Sequence, residues 1–490
     1  MIIAHIASEV FPFSKTGGLS DVAGALPASL ANIGHEVIVI SPLYKSTAEN
    51  FKPKKHAIEF TVDINGTDTR ADIYYIDMKQ GVKAYFIKND EMFFRDGLYL
   101  DKSGIDYKDN SKRFIFFSRS SLELIKRLGY HPDIIHSHDW QSGLVPAYMK
   151  TLYRDMLGGA VSIFTIHNIG YQGLFWYFDM PLLGIDNKYF TSEYLEYYGN
   201  ISFLKAGIVF SDAVTTVSPT YGKEILTSKY GYGMEGILKT RKNDLFGILN
   251  GVDYEQWNPK NDRYVPNKYD FNNIEFKADN KNFLNRLFNL DAADAPIIGM
   301  ITRLDRQKGI ELILEAIGGI ISMGIKFVLL GSGNKIYEDK LRELANKYKG
   351  RCGIKIGFDN AIAHLIEAGC DMYLMPSLYE PCGLNQMYSL KYGTIPIVRA
   401  TGGLNDTIEE YDPLKETGNG FKFGSNSSEN MLTEIKKAVA VYNDRTRWQR
   451  LIKQCMLYDF SWDKSAGYYE LLYKTYLNIS YLHGNRNSIT

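Results

Sequence analysis

Short apolar runs alternate along the chain with longer stretches of helical period, the pattern of parallel α/β architecture. The spacing predicts a strand over 2–7, a glycine-containing loop, and a helix over about 20–33 that Gly34 stops by taking a left-handed backbone. Val37-Ile38-Val39-Ile40 follows as a buried strand. Residues 109–129 place Phe114, Phe117, Leu124, Ile125 and Leu128 on one helical face. Further strands are expected at 133–136, 161–166, 213–217 and 245–249. From about 258 to 283 the chain turns polar, rich in Asn, Lys and Asp, which reads as a connection between domains. The rhythm then restarts with strands at Ile297–Ile301, Lys326–Leu330, Gly353–Ile356, Asp371–Met375 and Ile395–Val398. Two doubly wound domains follow, 1–257 and 258–459, with a polar tail expected to fray after about residue 482. Ligands of such sheets bind outside the carboxyl ends of the strands, so a cleft between the domains is the expected site.

Composition narrows the function classes. A length of 490 residues suits two or three domains, and 45% hydrophobic with 23% charged residues excludes global disorder. The 56 basic residues balance 56 acidic ones, so no strongly basic face is expected for a nucleic acid. No run reaches the ~18 apolar residues that span a bilayer, and no basic segment precedes Ile2-Ile3 as in a secretory signal. Four cysteines, none in a C-x-x-C pair, are too few for a disulfide framework and suit a reducing compartment. The expectation is a cytoplasmic protein without nucleic-acid or membrane partners.

Chemistry gathers in the loops after strands. Lys15-Thr16-Gly17-Gly18 joins the first strand to the first helix, where two glycines, free amides and a lysine suit an anion. A tight turn with a solvated lysine explains the same residues equally well. In the second half, Arg303 and Lys308 flank a predicted helix start and offer a planar fork and a point charge to phosphate oxygens. Ser377-Leu378-Tyr379-Glu380-Pro381-Cys382-Gly383-Leu384 follows another strand and opens a helix at about Leu384. There Glu380 can accept hydrogen bonds from sugar hydroxyls, and the Gly383 and Leu384 amides face an anion. Thr401-Gly402-Gly403 forms a second such loop. In the first half, His136-Ser137-His138-Asp139 and His167-Asn168 each end a strand. His136 and His138 are expected on opposite sides of their strand, so no metal is expected there, and no D-x-D pair offers another seat. Gly331-Ser332-Gly333 is too incomplete a glycine fingerprint to favour a nicotinamide dehydrogenase.

Taken together, Lys15-Thr16-Gly17-Gly18-Leu19, His138-Asp139-Trp140, Glu380-Pro381-Cys382-Gly383-Leu384, Lys391-Tyr392-Gly393-Thr394, Thr401-Gly402-Gly403-Leu404 and Phe460-Ser461-Trp462 resemble the bacterial glycogen synthase and plant starch synthase family. The resemblance extends over residues 1 to about 476. It implies a GT-B fold, with an acceptor-side first domain, a nucleotide-sugar second domain, and a C-terminal helix (460–480) returning to the first. It implies glucose transfer from ADP-glucose to the non-reducing end of an α-1,4-glucan, with retention and with no metal or other cofactor. UDP-glucose as donor and an inactive glucan-binding scaffold stand as alternatives. By position, Lys15, Gly17 and Gly18 would contact the donor phosphates, and Arg303 and Lys308 would hold the leaving diphosphate. Glu380 would bind glucosyl hydroxyls beside Cys382, Gly383, Leu384 and Thr401. Asp139 and His167 would sit beside the transferred glucose, supported by Tyr99, Asn168 and Asn250. Tyr388 stands where related retaining families carry a second glutamate, which argues against a two-carboxylate mechanism.

Overall fold

The computed structural model describes residues 1–292 and 294–487. Its chain divides into two units, one comprising Met1–Val217, Gly222–Gly251 and Trp462 onward, the other Ser218–Tyr221 and Val252–Ser461. The strands of the first unit are Ile2–Ile6 (β1), Glu36–Pro42 (β2), Lys54–Ile64 (β3), Thr67–Asp77 (β4), Lys83–Lys88 (β5), Ile134–His138 (β6) and Val161–Ile166 (β7). Leu174–Trp176 (β8), Glu196–Tyr197 (β9), Asn200–Ser202 (β10), Ala213–Thr216 (β11) and Leu245–Gly247 (β12) complete it.

Among the described residues, nine of these strands form one sheet in the order β12-β11-β7-β6-β1-β2-β5-β4-β3, and β8-β10-β9 form a small second sheet. β1 pairs in parallel with both β2 and β6, so the winding reverses between β1 and β6. Ile3 and Ile6 of β1 are fully buried, each contributing about 1.5–3 kcal/mol of transfer free energy. The antiparallel β3–β4 hairpin turns at Asn65-Gly66, both at positive φ (51° and 78°), as a two-residue hairpin turn requires.

In the second unit, Ile297–Leu304 (β13), Lys326–Gly333 (β14), Cys352–Ile356 (β15), Met372–Met375 (β16), Ile395–Arg399 (β17) and Phe421–Phe423 (β18) are ordered β15-β14-β13-β16-β17-β18. All are parallel. Counted from β13, that is the doubly wound order 3-2-1-4-5-6, whose switch point lies between the first and fourth strands. Here those are β13 and β16.

The structure corrects several expectations. The chain leaves the first unit at Gly251 and returns to it at Trp462, whereas the boundary was expected at 257. The polar stretch 258–283 is not a connection, because Val265, Tyr269 and Ile274 belong to the core of the second unit. Its polar residues serve that core: Tyr269 Oη donates to the Tyr392 carbonyl at 2.8 Å and Lys277 Nζ to the Ala368 carbonyl at 2.9 Å. Helix Asn110–Arg127 buries Ile115 and Phe116 as well as Phe114 and Phe117, so its apolar contact is not confined to one face. The final helix, Trp462–Asn487, packs Trp462, Ala466, Tyr469 and Tyr473 into the same core as Leu26 and Leu30 of helix Gly18–Asn32. That helix continues past 482, and residues 488–490 of the expected fraying tail lie outside the described residues. No helix among the described residues is long and apolar enough to cross a membrane.

Candidate active site

The loop after β1 begins with Ser8 and Glu9, both buried. Glu9 carries the anchoring role in this loop, and nothing in the local sequence singled it out. Its Oε2 accepts from the Thr16 amide at 2.5 Å and the Gly17 amide at 3.3 Å, and its Oε1 from Thr16 Oγ1 at 2.6 Å. Tyr99 Oη donates to the same Oε1 at 2.7 Å and lies 2.7 Å from Ser8 Oγ. One carboxylate thus holds the turn that carries Gly17 and Gly18. A Cβ built on either glycine meets no protein atom within 4 Å, so packing within the protein does not require glycine at either position. Lys15 is not simply a solvated cation. Its Nζ donates to Asp21 Oδ1 at 2.6 Å and Oδ2 at 2.8 Å, and lies 5.4 Å from the Phe11 ring centroid. Burial raises the Asp21 carboxyl above its usual range, with Lys15 opposing.

Asp139 follows β6 with φ 56° and ψ 179°, a region almost confined to glycine. Two bonds hold it there: its amide donates to the Thr165 carbonyl at 2.9 Å, and its Oδ1 accepts from the His167 amide at 2.7 Å. Burial pushes its carboxyl up to about 7, against the backbone hydrogen bonds from His167 and Asn168. Asn168 Oδ1 accepts from the Gly170 amide at 3.0 Å. Asn250 is 5% exposed and its Oδ1 has no partner within the protein, an acceptor suited to a ligand donor.

His136 and His138 share one side of their strand, contrary to expectation, because residues two apart on a strand face the same way. Their rings stack with centroids 4.1 Å apart, and together with His5 they form the one cluster with metal-ligand spacing among the described residues. Both His136 nitrogens are engaged, Nδ1 with Tyr473 Oη at 2.7 Å and Nε2 with Thr165 Oγ1 at 2.6 Å. The cluster is a hydrogen-bonded network in this structure.

In the second unit the chemistry sits at the switch point. β13 runs to Leu304, so Arg303 lies within the strand and not in the loop after it. Its guanidinium is 3.6 Å from Asp305. Asp305 Oδ1 caps the next turn by accepting from the Lys308 amide at 3.1 Å. Gly309 then takes φ 71°, and a Cβ there would stand 2.2 Å from the Pro376 carbonyl oxygen. This close approach brings the loops after β13 and β16 together. Lys308 Nζ donates to Glu380 Oε2 at 2.6 Å, and Ser377 Oγ donates to the same oxygen at 2.9 Å.

Two residues without an assigned role brace this arrangement. Arg399 Nε donates to the Ser377 carbonyl at 2.6 Å and its Nη2 to the Leu378 carbonyl. The Gln307 carbonyl accepts from the Leu378 amide at 2.7 Å.

Glu380 and Cys382 are buried, and Gly383 at φ 72° leads through Leu384 into helix Asn385–Lys391. The loop Thr401-Gly402-Gly403 is not an independent anion cradle. The Gly403 amide donates to the Glu380 and Pro381 carbonyls at 3.1 Å each, and a Cβ on Gly402 or Gly403 would stand 2.0 Å from Glu380 O or 2.1 Å from Cys382 O. These glycines let one loop lie against the other. Tyr388 stacks flat on Trp257, centroids 4.0 Å apart at 3°, with His364 on the other face of Trp257 at 3.8 Å. A ring stack, and not a second carboxylate, occupies that position.

A model of the starch synthase catalytic domain matches residues 2–240, and one of glycosyl transferases group 1 matches residues 285–454. The glycogen synthase of Koribacter versatilis (strain Ellin345) is 47% identical over 477 residues, 97% of this chain and 98% of that protein. The glycogen synthase of Fervidobacterium nodosum is 43% identical, over 97% of this chain and 98% of that protein. Among solved structures, the catalytic domain of starch synthase IV from Arabidopsis thaliana, bound to ADP and acarbose, matches with a TM-score of 0.90 at 33% identity. That match covers 97% of this chain and 99% of the other. Sucrose-phosphate synthase from Thermosynechococcus elongatus shares the fold, with a TM-score of 0.61 at 16% identity over 98% of this chain and 99% of its own.

Proposed function

The chain belongs to the glycogen synthase and starch synthase family of glycosyltransferases, and on that premise we propose how its residues divide the work of transferring glucose from ADP-glucose to the non-reducing 4-hydroxyl end of an α-1,4-glucan. Its two Rossmann-like units are those of the GT-B plan. The observation that carries the assignment of roles is the Lys308–Glu380 pair at the switch point of the second sheet, 2.6 Å from cation to carboxylate.

As the bond from the anomeric carbon to the donor phosphate lengthens, negative charge grows on the diphosphate. Lys308, Arg303 and the N-terminus of helix Ile310–Ser322 supply fixed positive charge to meet it. Glu380 accepts hydrogen bonds from glucosyl hydroxyls, which fixes the sugar relative to that charge. The new bond to the acceptor oxygen forms on the face the diphosphate leaves, so configuration is retained. The acceptor hydroxyl gives its proton to the departing phosphate oxygen. In the first unit we assign Asp139 and His167 to the transferred glucosyl group, and Lys15, Gly17 and Gly18 to donor phosphate. Tyr99, Asn168 and Asn250 support them, while Cys382, Gly383, Leu384 and Thr401 line the pocket of the second unit.

The cations assigned to the diphosphate do the work a bridging metal does elsewhere, so the reaction is proposed to need no metal and no organic cofactor. The four cysteines are free thiols, which supports a reducing, cytoplasmic setting. The deciding experiment measures nucleotide release from ADP-glucose and UDP-glucose, with and without glycogen. Glycogen-dependent ADP release supports the reading. Release from UDP-glucose alone keeps the transfer and replaces the donor. Silence from both in a folded sample favours a glucan-binding scaffold.

A further inference from the structure

Three imidazoles stand in a row through the interior of the first unit. His5 Nδ1 lies 3.1 Å from His138 Nε2, and His138 Nδ1 lies 3.1 Å from His167 Nε2. His5 and His138 are fully buried, and only His167, at 8%, has exposed surface. Burial holds all three far below the ordinary histidine range, His5 and His167 to about 3. Each ring is therefore neutral at neutral pH and carries one proton, donating at one nitrogen and accepting at the other.

Two contacts in series allow only two arrangements. In the first, His5 Nδ1–H donates to His138 Nε2, His138 Nδ1–H donates to His167 Nε2, and His167 carries its own proton on Nδ1. In the second every proton is reversed, His167 Nδ1 is bare, and His5 carries its proton on Nε2. His5 Nε2 is buried with no partner. The second arrangement thus leaves an N–H donor orphaned in the core, whereas the first leaves only a lone pair, and buried orphan donors are the rarer of the two.

We propose that His5 and His138 are positioning residues that fix His167 as its Nδ1–H tautomer, so that His167 meets the bound glucosyl group as a hydrogen-bond donor. The meeting with the sugar rests on the function proposed above. The tautomer rests on the row alone. His136 stands outside the row, since its nitrogens are engaged by Tyr473 and Thr165.

The test is a long-range proton–nitrogen spectrum of the full chain labelled with ¹⁵N-histidine, at neutral pH and without substrate. Signals are assigned with His5→Asn, His5→Phe and His167→Ala. The expected result is Nδ1–H at His5, His138 and His167. His167 protonated on Nε2 in the unsubstituted protein overturns the proposal. His5→Phe leaves His138 Nε2 a bare lone pair in the first arrangement and an orphaned donor in the second, so the same preference applies and His167 is expected to stay Nδ1–H. His167 protonated on Nε2 in His5→Phe overturns that preference. Should that variant fail to fold, the spectrum of the unsubstituted protein decides. Full activity in His167→Ala would overturn the sugar contact, and the spectrum would still decide the tautomer.

Discussion

Lys308 Nζ sits 2.6 Å from Glu380 Oε2, although the two residues are on loops separated by three intervening strands in the chain. They meet because β13 and β16 are neighbours in the sheet. Replacing Lys308 with alanine removes one fixed cation and leaves Glu380 Oε2 with Ser377 alone. Turnover is expected to fall about 10²–10³-fold, roughly 3–4 kcal/mol of transition-state stabilisation, with the melting transition retained. Arg303→Ala is expected in the same range. Near-normal turnover of either purified variant would remove that residue from the diphosphate site.

Gly309 and Gly18 should respond in opposite ways to alanine. At Gly309 the side chain meets a positive φ and the Pro376 carbonyl at 2.2 Å. Backbone strain alone costs about 1–2 kcal/mol, and the loop must shift away from Glu380. A lower melting temperature and lower turnover are both expected. At Gly18, in the first turn of its helix, the added methyl meets no protein atom within 4 Å. Its melting should be unchanged or slightly higher, while KM for ADP-glucose rises. An unchanged KM would argue that no phosphate approaches that backbone.

Asp139 should give the protein a pH-dependent stability of definite sign. Its carboxyl titrates near about 7 in the fold instead of the usual 3.8, so the folded state binds the proton more tightly than the unfolded chain. This contribution is full below about pH 4 and is lost as pH rises through about 7. Asp139→Asn is isosteric, keeps an Oδ1 acceptor for the His167 amide and has no such titration. Urea melts of both proteins from pH 4 to 8 should show the unsubstituted protein losing stability relative to the variant. Parallel curves would refute the elevated carboxyl.

Tyr473 ties the last helix to β6 through His136. Tyr473→Phe leaves a buried imidazole nitrogen unpaired and should destabilise the protein by about 1–3 kcal/mol, read from denaturant midpoints. Kinetic constants of the folded fraction should not move. A change in KM would give Tyr473 a part in the site.

Chelation is expected to leave the rate unchanged, since Lys308 and Arg303 are assigned the leaving charge. Loss of activity in EDTA, restored by a divalent ion, would overturn that assignment.

What the sequence made legible follows from what a pattern records. Alternating apolar runs disclosed the two wound sheets, and small or cationic residues after strands marked the loops of Lys15, Lys308 and Glu380. Sheet order is not written in the chain, so the meeting of Lys308 with Glu380 was out of reach. The Asn65-Gly66 hairpin carried a readable signal beside alternating strands and was still not anticipated. Glu9 had no such signal, for a lone carboxylate after a strand says nothing about which amides it will collect. The facing of His136 and His138 needed only the two-residue period of a strand, and there the expectation itself was at fault. Asp139 shows the remaining limit: its strained backbone depends on partners at Thr165 and His167, more than twenty residues away.

The order in which the molecule is made differs from the order in which it can be completed. The second unit, apart from Ser218–Tyr221, is one continuous stretch, and all of it precedes Trp462. The first unit starts at Met1 yet lacks part of its interior until Trp462, Ala466, Tyr469 and Tyr473 arrive. On the ribosome, therefore, the part synthesised first waits with an open apolar seam while the later part can close, the reverse of the usual N-to-C sequence of domain folding. A chain cut short before Trp462 would not merely lose an appendage; it would strand its own beginning unfinished, and that exposed seam is where a chaperone would be needed longest.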